Sequence, residues 1–148
     1  MAVKGRKAYH DASDTTAGPG MRLRHPFHKL LALQPLWRAL FCLSLIAITW
    51  LGFTSEPYPI PSAASDKVNH LMAFMELSIL ARLGWPAIGY LVPLAVLASY
   101  GIALELGQAF TPWRDFAVLD VMADVAGILI GYASLALLLR LTGTRLAS

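Results

Sequence analysis

The chain has 148 residues, of which 57% are hydrophobic and 14% charged, whereas soluble domains run at about 45–50% apolar and about 25% charged. That deficit of charge excludes an ordinary water-soluble enzyme domain and points to lipid as the solvent. The formal net charge of +3 comes from basic residues flanking apolar runs rather than from a basic, aromatic-laced polar domain, so nucleic acid is excluded as a partner.

Residues 1–34 are rich in Gly, Ser, Thr, His and basic side chains, carry the Gly18-Pro19-Gly20 breaker, and lack apolar periodicity until about Met21. They read as a flexible, basic cytoplasmic tail, and His10, His25 and His28 read as solvated tail residues. The stretch Met21 to Leu33 mixes Arg22, Arg24 and Lys29 with Leu and Phe and suits an anionic membrane surface. A secretory signal peptide fits less well, because the charged leader is long and no small-residue cleavage site closely follows the apolar run.

Four helices account for the apolar sequence of a single all-α domain, an integral membrane bundle over residues 35–142. The first span runs from about Leu36 to Phe53, flanked by Trp37 and Trp50 as interfacial anchors, and is long enough for a hydrocarbon core of about 30 Å. Its single cysteine, Cys42, reads as a packing or lipid-facing residue. The segment Thr54 to Ser65 holds Pro57, Pro59 and Pro61 and reads as an extended loop. A second span follows, about Asp66 to Leu83, ending at Gly84-Trp85-Pro86. The third runs from about Ala87 to Phe110 with an expected kink at Pro93. After Thr111-Pro112-Trp113 the fourth runs from about Val118 to Leu141, and residues 143–148 form a short cytoplasmic end. No segment of strand period and useful length occurs.

Ten basic residues fall on one side of this arrangement: Lys4, Arg6, Lys7, Arg22, Arg24, Lys29, Arg38, Arg82, Arg140 and Arg145. Only Lys67 and Arg114 fall on the other. The positive-inside rule then places both termini in the cytoplasm and the Pro-rich and Thr111 to Ala117 loops outside. This orientation gathers Asp66, Lys67, His70, Glu105, Gln108, Arg114, Asp115, Asp120 and Asp124 at one membrane face. His70, Glu105 and Asp124 reach roughly 5–10 Å below that face at 1.5 Å rise per residue.

Spacing also selects faces. Gly101, Glu105 and Gln108 recur at i, i+4, i+7, and Asp120, Asp124, Gly127 and Gly131 at i, i+4, i+7, i+11. The Gly127–Gly131 pair is a small-xxx-small pattern, expected to dock the fourth span against the third. A carboxylate in lipid costs about 2.5–3.5 kcal/mol at a helix centre, so these acids face partners. If the bases only neutralised them, the cluster would be a polar plug fixing helix register. The acids outnumber the available bases, however, which leaves carboxylates that need protons, a cation or a cationic ligand. Glu76, near the middle of the second span, is expected to be protonated or hydrogen-bonded to a neighbouring helix.

At these residues the chain resembles the VanZ-like family of small membrane proteins. The matching signals are Asp66-Lys67-x-x-His70-x-x-x-Phe74-x-x-Leu77, then Glu105-x-x-Gln108, then Pro112-x-Arg114-Asp115, Asp120 and Gly127 through Gly131, together covering roughly residues 60–135. The resemblance implies four transmembrane helices, the cytoplasmic (inner) membrane of a bacterium, and an association with resistance to teicoplanin, a lipoglycopeptide that binds cell-wall precursors. Two positions depart from the pattern: Asp124, where the family often has Asn, and Glu76, which is usually apolar.

Three functions compete. A non-catalytic envelope factor binding a lipid-linked or amphiphilic ligand at the outer leaflet suits a polar cluster above an apolar bundle. An enzyme at the same place would use His70 as general acid or base, oriented by Glu105 or Asp124, with Lys67 and Arg114 holding an anionic head group. A metal variant of that enzyme would use His70 with Asp120, Asp124 or Glu105, but no ligand spacing in the sequence is diagnostic, and the sequence assigns no metal. A transporter would need polar groups across the whole membrane, and only Glu76 and a few small polar residues continue past the outer half.

Overall fold

A computed structural model describes residues 29–54, 64–112 and 116–146. It contains four long helices and, among the described residues, no strand: α1 (Gln34–Phe53), α2 (Ala64–Gly84), α3 (Leu91–Gln108) and α4 (Val118–Thr142). Most of the expected basic tail, most of the Pro-rich loop, and Arg114 and Asp115 lie outside the described residues.

Local sequence sets the helix ends. Pro35 occupies the first turn of α1, where its missing N–H would have no acceptor in any case. Gly143 ends α4 with φ 62°, donating to the Arg140 carbonyl, a left-handed stop that glycine adopts without penalty. The third helix begins four residues later than expected, because Trp85 to Tyr90 forms a turn pinned by Arg82, whose Nη1 donates to the carbonyls of Pro86 (2.8 Å) and Ile88 (2.7 Å). Pro93 therefore falls in the first turn of α3 and not in its interior, and the expected kink has no cause there.

The helices alternate in direction. Arg38 near the start of α1 donates through Nε to the Gly84 carbonyl at the end of α2 (2.8 Å) and stacks over Trp85. At the other end, Gln108 at the end of α3 donates to the Gly52 carbonyl near the end of α1 (2.9 Å). The ends of α1 and α3 and the starts of α2 and α4 thus share one end of the bundle.

Three helices, α1, α3 and α4, are long and apolar enough to cross a membrane. The expectation of four is corrected at α2. That helix has the length, but Asp66, Lys67, Asn69, His70, Glu76, Ser78 and Arg82 make it too polar to face lipid alone. The bundle resolves this by placing α2 against all three other helices. Its stripe of His70, Phe74, Leu77 and Ala81 is buried, and with Leu97 and Ile128 two of those residues, Phe74 and Leu77, form the apolar core. The outward faces of α1, α3 and α4 carry Leu43, Ile46, Val96, Ile102, Leu129 and Leu137, all exposed, as a lipid-facing surface requires.

Gly127 and Gly131 are buried as expected, but they dock α4 against α2 and not against α3. A Cβ on Gly127 would strike the Leu71 carbonyl oxygen, and one on Gly131 would strike the Ser78 hydroxyl and the Met75 carbonyl. The physical reason is that the polar helix needs the closest backbone approach, since small residues there exclude lipid from its peptide groups. Gly101 on α3 instead makes room for the Asp124 carboxylate and Phe74.

Gly131→Leu is expected to destabilise the bundle by about 1–3 kcal/mol through overpacking, whereas Gly89→Ala, where a Cβ meets nothing within 4 Å, leaves it unchanged. Thermal unfolding of the purified proteins in one detergent measures the difference.

Candidate functional site

The shared end of the bundle is polar, and each helix contributes from a definite position. Asp66 and Lys67 lie in the first turn of α2 and His70 one turn on, while Asp120 lies in the first turn of α4 and Asp124 one turn on. Asp66 and Asp120 sit where the partial positive charge of a helix N-terminus favours an anion. Glu105 and Gln108 come from the last turn of α3. The i, i+4 spacings read from the sequence turn all four inner groups toward the bundle axis: His70, Glu105, Gln108 and Asp124 are buried, with Glu105 1% and Asp124 0% exposed.

His70 is the junction. Its Nδ1 lies 2.9 Å from Asp124 Oδ1; an ionised carboxylate only accepts, so beside an ionised Asp124 it is Nδ1 that carries the proton and donates. Its Nε2 lies 3.4 Å from Glu105 Oε1. One imidazole therefore meets carboxylates from two other helices. Lys67, 48% exposed at the rim, donates through Nζ to Asp120 Oδ1 at 2.8 Å. Glu105 Oε2 also accepts the Ala117 N–H (3.3 Å) at the entry to α4, which ties the α3–α4 connection to the site. Glu105 Oε1 and Asp124 Oδ2 are buried with no hydrogen-bond partner among the described residues.

Beside this cluster lies a cavity of about 340 Å³. Ile48, Leu51 and Gly52 wall it from α1, Met72, Ala73 and Phe74 from α2, and Leu104 from α3; Asp66, Asn69, His70 and Gln108 form its polar edge. The volume falls within the roughly 300–1,000 Å³ range of small-molecule sites. The arrangement can take an apolar tail with a polar group against His70 and its neighbours. Chemically, an imidazole held by a carboxylate is also competent to transfer protons.

Seven of the nine residues singled out in the sequence are described, and the structure gathers them at one end. Asp66, His70 and Asp120 have donor atoms that all lie within 4.8 Å of one another. Glu76 hydrogen-bonds a neighbouring helix as expected, accepting from Ser44 Oγ on α1 at 2.7 Å. It stands on the bundle perimeter, apart from the cluster. Sequence reasoning missed the cavity and with it Asn69 and the α1 wall. Asn69, beside His70 in an otherwise amphiphilic helix start, was a usable signal; Ile48, Leu51 and Gly52 looked like any other span residues.

The profile of the VanZ/LLP1 family matches residues 7–140 of the chain. No curated protein and no solved structure matches it.

Replacing His70 by Ala leaves two buried carboxylates facing each other without a cation and is expected to cost about 3–5 kcal/mol. Adding Asp124→Asn to that variant removes one of the charges and recovers part of the loss. Unfolding of the single and double variants gives the coupling directly, and a double variant no more stable than His70→Ala contradicts it.

Proposed function

The chain belongs to the VanZ/LLP1 family, and from that premise we propose that it is a cell-envelope factor of the bacterial cytoplasmic membrane that binds an amphiphilic or lipid-linked ligand at the outer leaflet. Both termini face the cytoplasm, in keeping with the ten basic residues on that side, and the His70 end faces outward. The single observation that carries the reading is the continuity of the buried polar cluster with an apolar cavity: His70 and Gln108 belong to both. A ligand with an apolar tail and a polar head satisfies the two surfaces at once. Lys67, half-exposed at the rim, is available to anionic groups of the same ligand. The family resemblance connects such a factor with protection against glycopeptides, teicoplanin in particular, whose targets are lipid-linked precursors on that face.

A second reading, an enzyme acting on an anionic lipid-linked substrate at the same site, has one observation in its favour: Asp124 engages His70 Nδ1 at 2.9 Å, which leaves Nε2 as the nitrogen for proton exchange. The two readings part on turnover. In liposomes containing a lipid-linked precursor, the purified protein retains the ligand unchanged on the first reading and releases a product on the second.

The test of the main reading is susceptibility of a sensitive bacterium to teicoplanin and vancomycin, with expression of wild type, His70→Gln or Ala73→Trp at equal membrane levels. Wild type is expected to protect against teicoplanin. Both variants are expected to lose protection, the first by removing the polar junction and the second by filling the cavity while leaving the cluster in place. Absence of protection by wild type rules out the resistance role; protection retained by Ala73→Trp rules out the cavity.

A further inference from the structure

The polar contacts of α1 change partner along its length. In its first half Arg38 reaches the Gly84 carbonyl and Ser44 Oγ donates to Glu76 Oε1 at 2.7 Å, both on α2. In its second half the partners are on α3: Thr49 Oγ1 lies 2.8 Å from Tyr100 Oη, and the Gly52 carbonyl accepts from Gln108. The cavity of about 340 Å³ lies where α1 has turned from α2 toward α3, and its walls run from the core to the perimeter. On α2 the lining residues Ala73, Asn69 and Met72 lie roughly 60°, 100° and 160° from His70 in one rotational sense, at 3.6 residues per turn. Exposure rises along that series: His70 is buried, Ala73 and Asn69 are half-buried, and Met72 is 50% exposed. On α1, Gly52 is buried, Ile48 half-buried and Leu51 44% exposed. The cavity therefore reaches the outside of the bundle between Met72 and Leu51.

Taking the cavity as the ligand site proposed above, we infer that it is filled sideways from the bilayer, by a hydrocarbon chain of a resident lipid passing between Met72 and Leu51. Both lips of the opening are apolar. Met72 stands about 9 Å along α2 from Asp66 at 1.5 Å per residue, below the polar edge, at a depth where hydrocarbon and not water covers the surface. Lateral entry keeps the polar head of the lipid level with Asp66, Asn69, His70 and Gln108, so no charge crosses hydrocarbon and no chain crosses water. The unbranched side chain of Met72 adapts to a passing chain. The same geometry gives Glu76 a task. One turn deeper than Ile48 on α1, and three residues beyond Ala73 on α2, the Ser44–Glu76 hydrogen bond closes the cleft. A chain going further would break that bond and leave a carboxyl group unpaired in hydrocarbon, so the pair sets how deep the chain reaches.

The full-length protein in phosphatidylcholine vesicles, with a fraction of the lipid carrying a photoactivatable diazirine at mid-chain, tests this. Labelled residues are located by mass spectrometry after irradiation. Perimeter residues such as Leu43 and Leu137, both exposed, take label in any case and report insertion. The expected result is label on Leu104 and Phe74 as well, which are buried and line the cavity, and none on the core residue Leu77, past the Ser44–Glu76 pair. In Ala73→Trp the label on Leu104 and Phe74 is expected to be lost while that on Leu43 and Leu137 persists. Label confined to the perimeter, or label on Leu104 unchanged in Ala73→Trp, overturns lateral filling; label on Leu77 overturns the stop at Glu76. A soluble short-chain phosphatidylcholine bearing the same diazirine, added from water to protein in plain vesicles, separates the sources. Label on Leu104 from this probe and not from the bilayer lipid means that the cavity fills from water, and also overturns it. The pattern in wild type decides even if Ala73→Trp fails to fold. Should Ala73→Trp abolish drug protection while the bilayer lipid never reaches Leu104, the cavity keeps its proposed function and lateral filling alone fails; protection retained by Ala73→Trp removes the cavity's role whatever the labelling.

Discussion

His70 meets Asp124 on one side and Glu105 on the other, and this contact among three helices is what the rest of the bundle is arranged to protect. Charged groups are tolerated at membrane depth only when they face protein, so the face of α2 that carries His70 is turned inward. The placement of α2 against α1, α3 and α4 follows from that requirement, and so do the glycines of α4. Gly127 and Gly131 bring the α4 backbone against α2, which sets the register of α4 one and two turns beyond Asp124. Close backbone packing and ion pairing thus act in the same place, each keeping the other's geometry.

How far this was legible in the sequence depends on the kind of signal. The i, i+4 recurrence of Asp120 and Asp124 and of Gly101 and Glu105 identified the inward faces, because helix geometry converts spacing into direction without knowledge of the neighbours. The four helices were visible for the same reason, and their ends came within a few residues except at α3, where Arg82 ties down a turn that apolar content alone does not mark. The partner of the glycine stripe was not legible. Small-xxx-small spacing shows that some backbone comes near, but α2 and α3 both offered polar stripes, and only the higher polarity of α2 favours it. The count of lipid-crossing helices failed on the same element: a window of apolar residues was judged by length, while Glu76 and Arg82 in its second half lower its apolar character. The cavity walls were beyond reach, since Ile48 and Leu51 differ from lipid-facing residues of α1 only by their rotation about the axis.

The site has a dry side and a wet side, and the residues divide between them. Glu105, Gln108 and Asp124 are enclosed, where a low local dielectric strengthens each polar contact and makes a missing one costly. Lys67 stands at the rim, where solvent screens it. Gln108 links the two halves of the arrangement: it edges the cavity and at the same time donates to the Gly52 carbonyl, fastening the end of α1 to the end of α3. The cavity wall supplied by α1 is therefore held in place by a residue of the polar edge.

The polarity of α2 also bears on how the protein is made. A helix carrying Asp66, Lys67, His70, Glu76 and Arg82 is not retained by hydrocarbon on its own merits, and its most extensive partner, α4, is the last of the four to be synthesised. Of its partners, α1 is the one made before it, and it meets α2 through Ser44 at mid-helix and Arg38 at the far end. These two contacts cover one flank of α2, and the glycines and carboxylates of α4 cover the other.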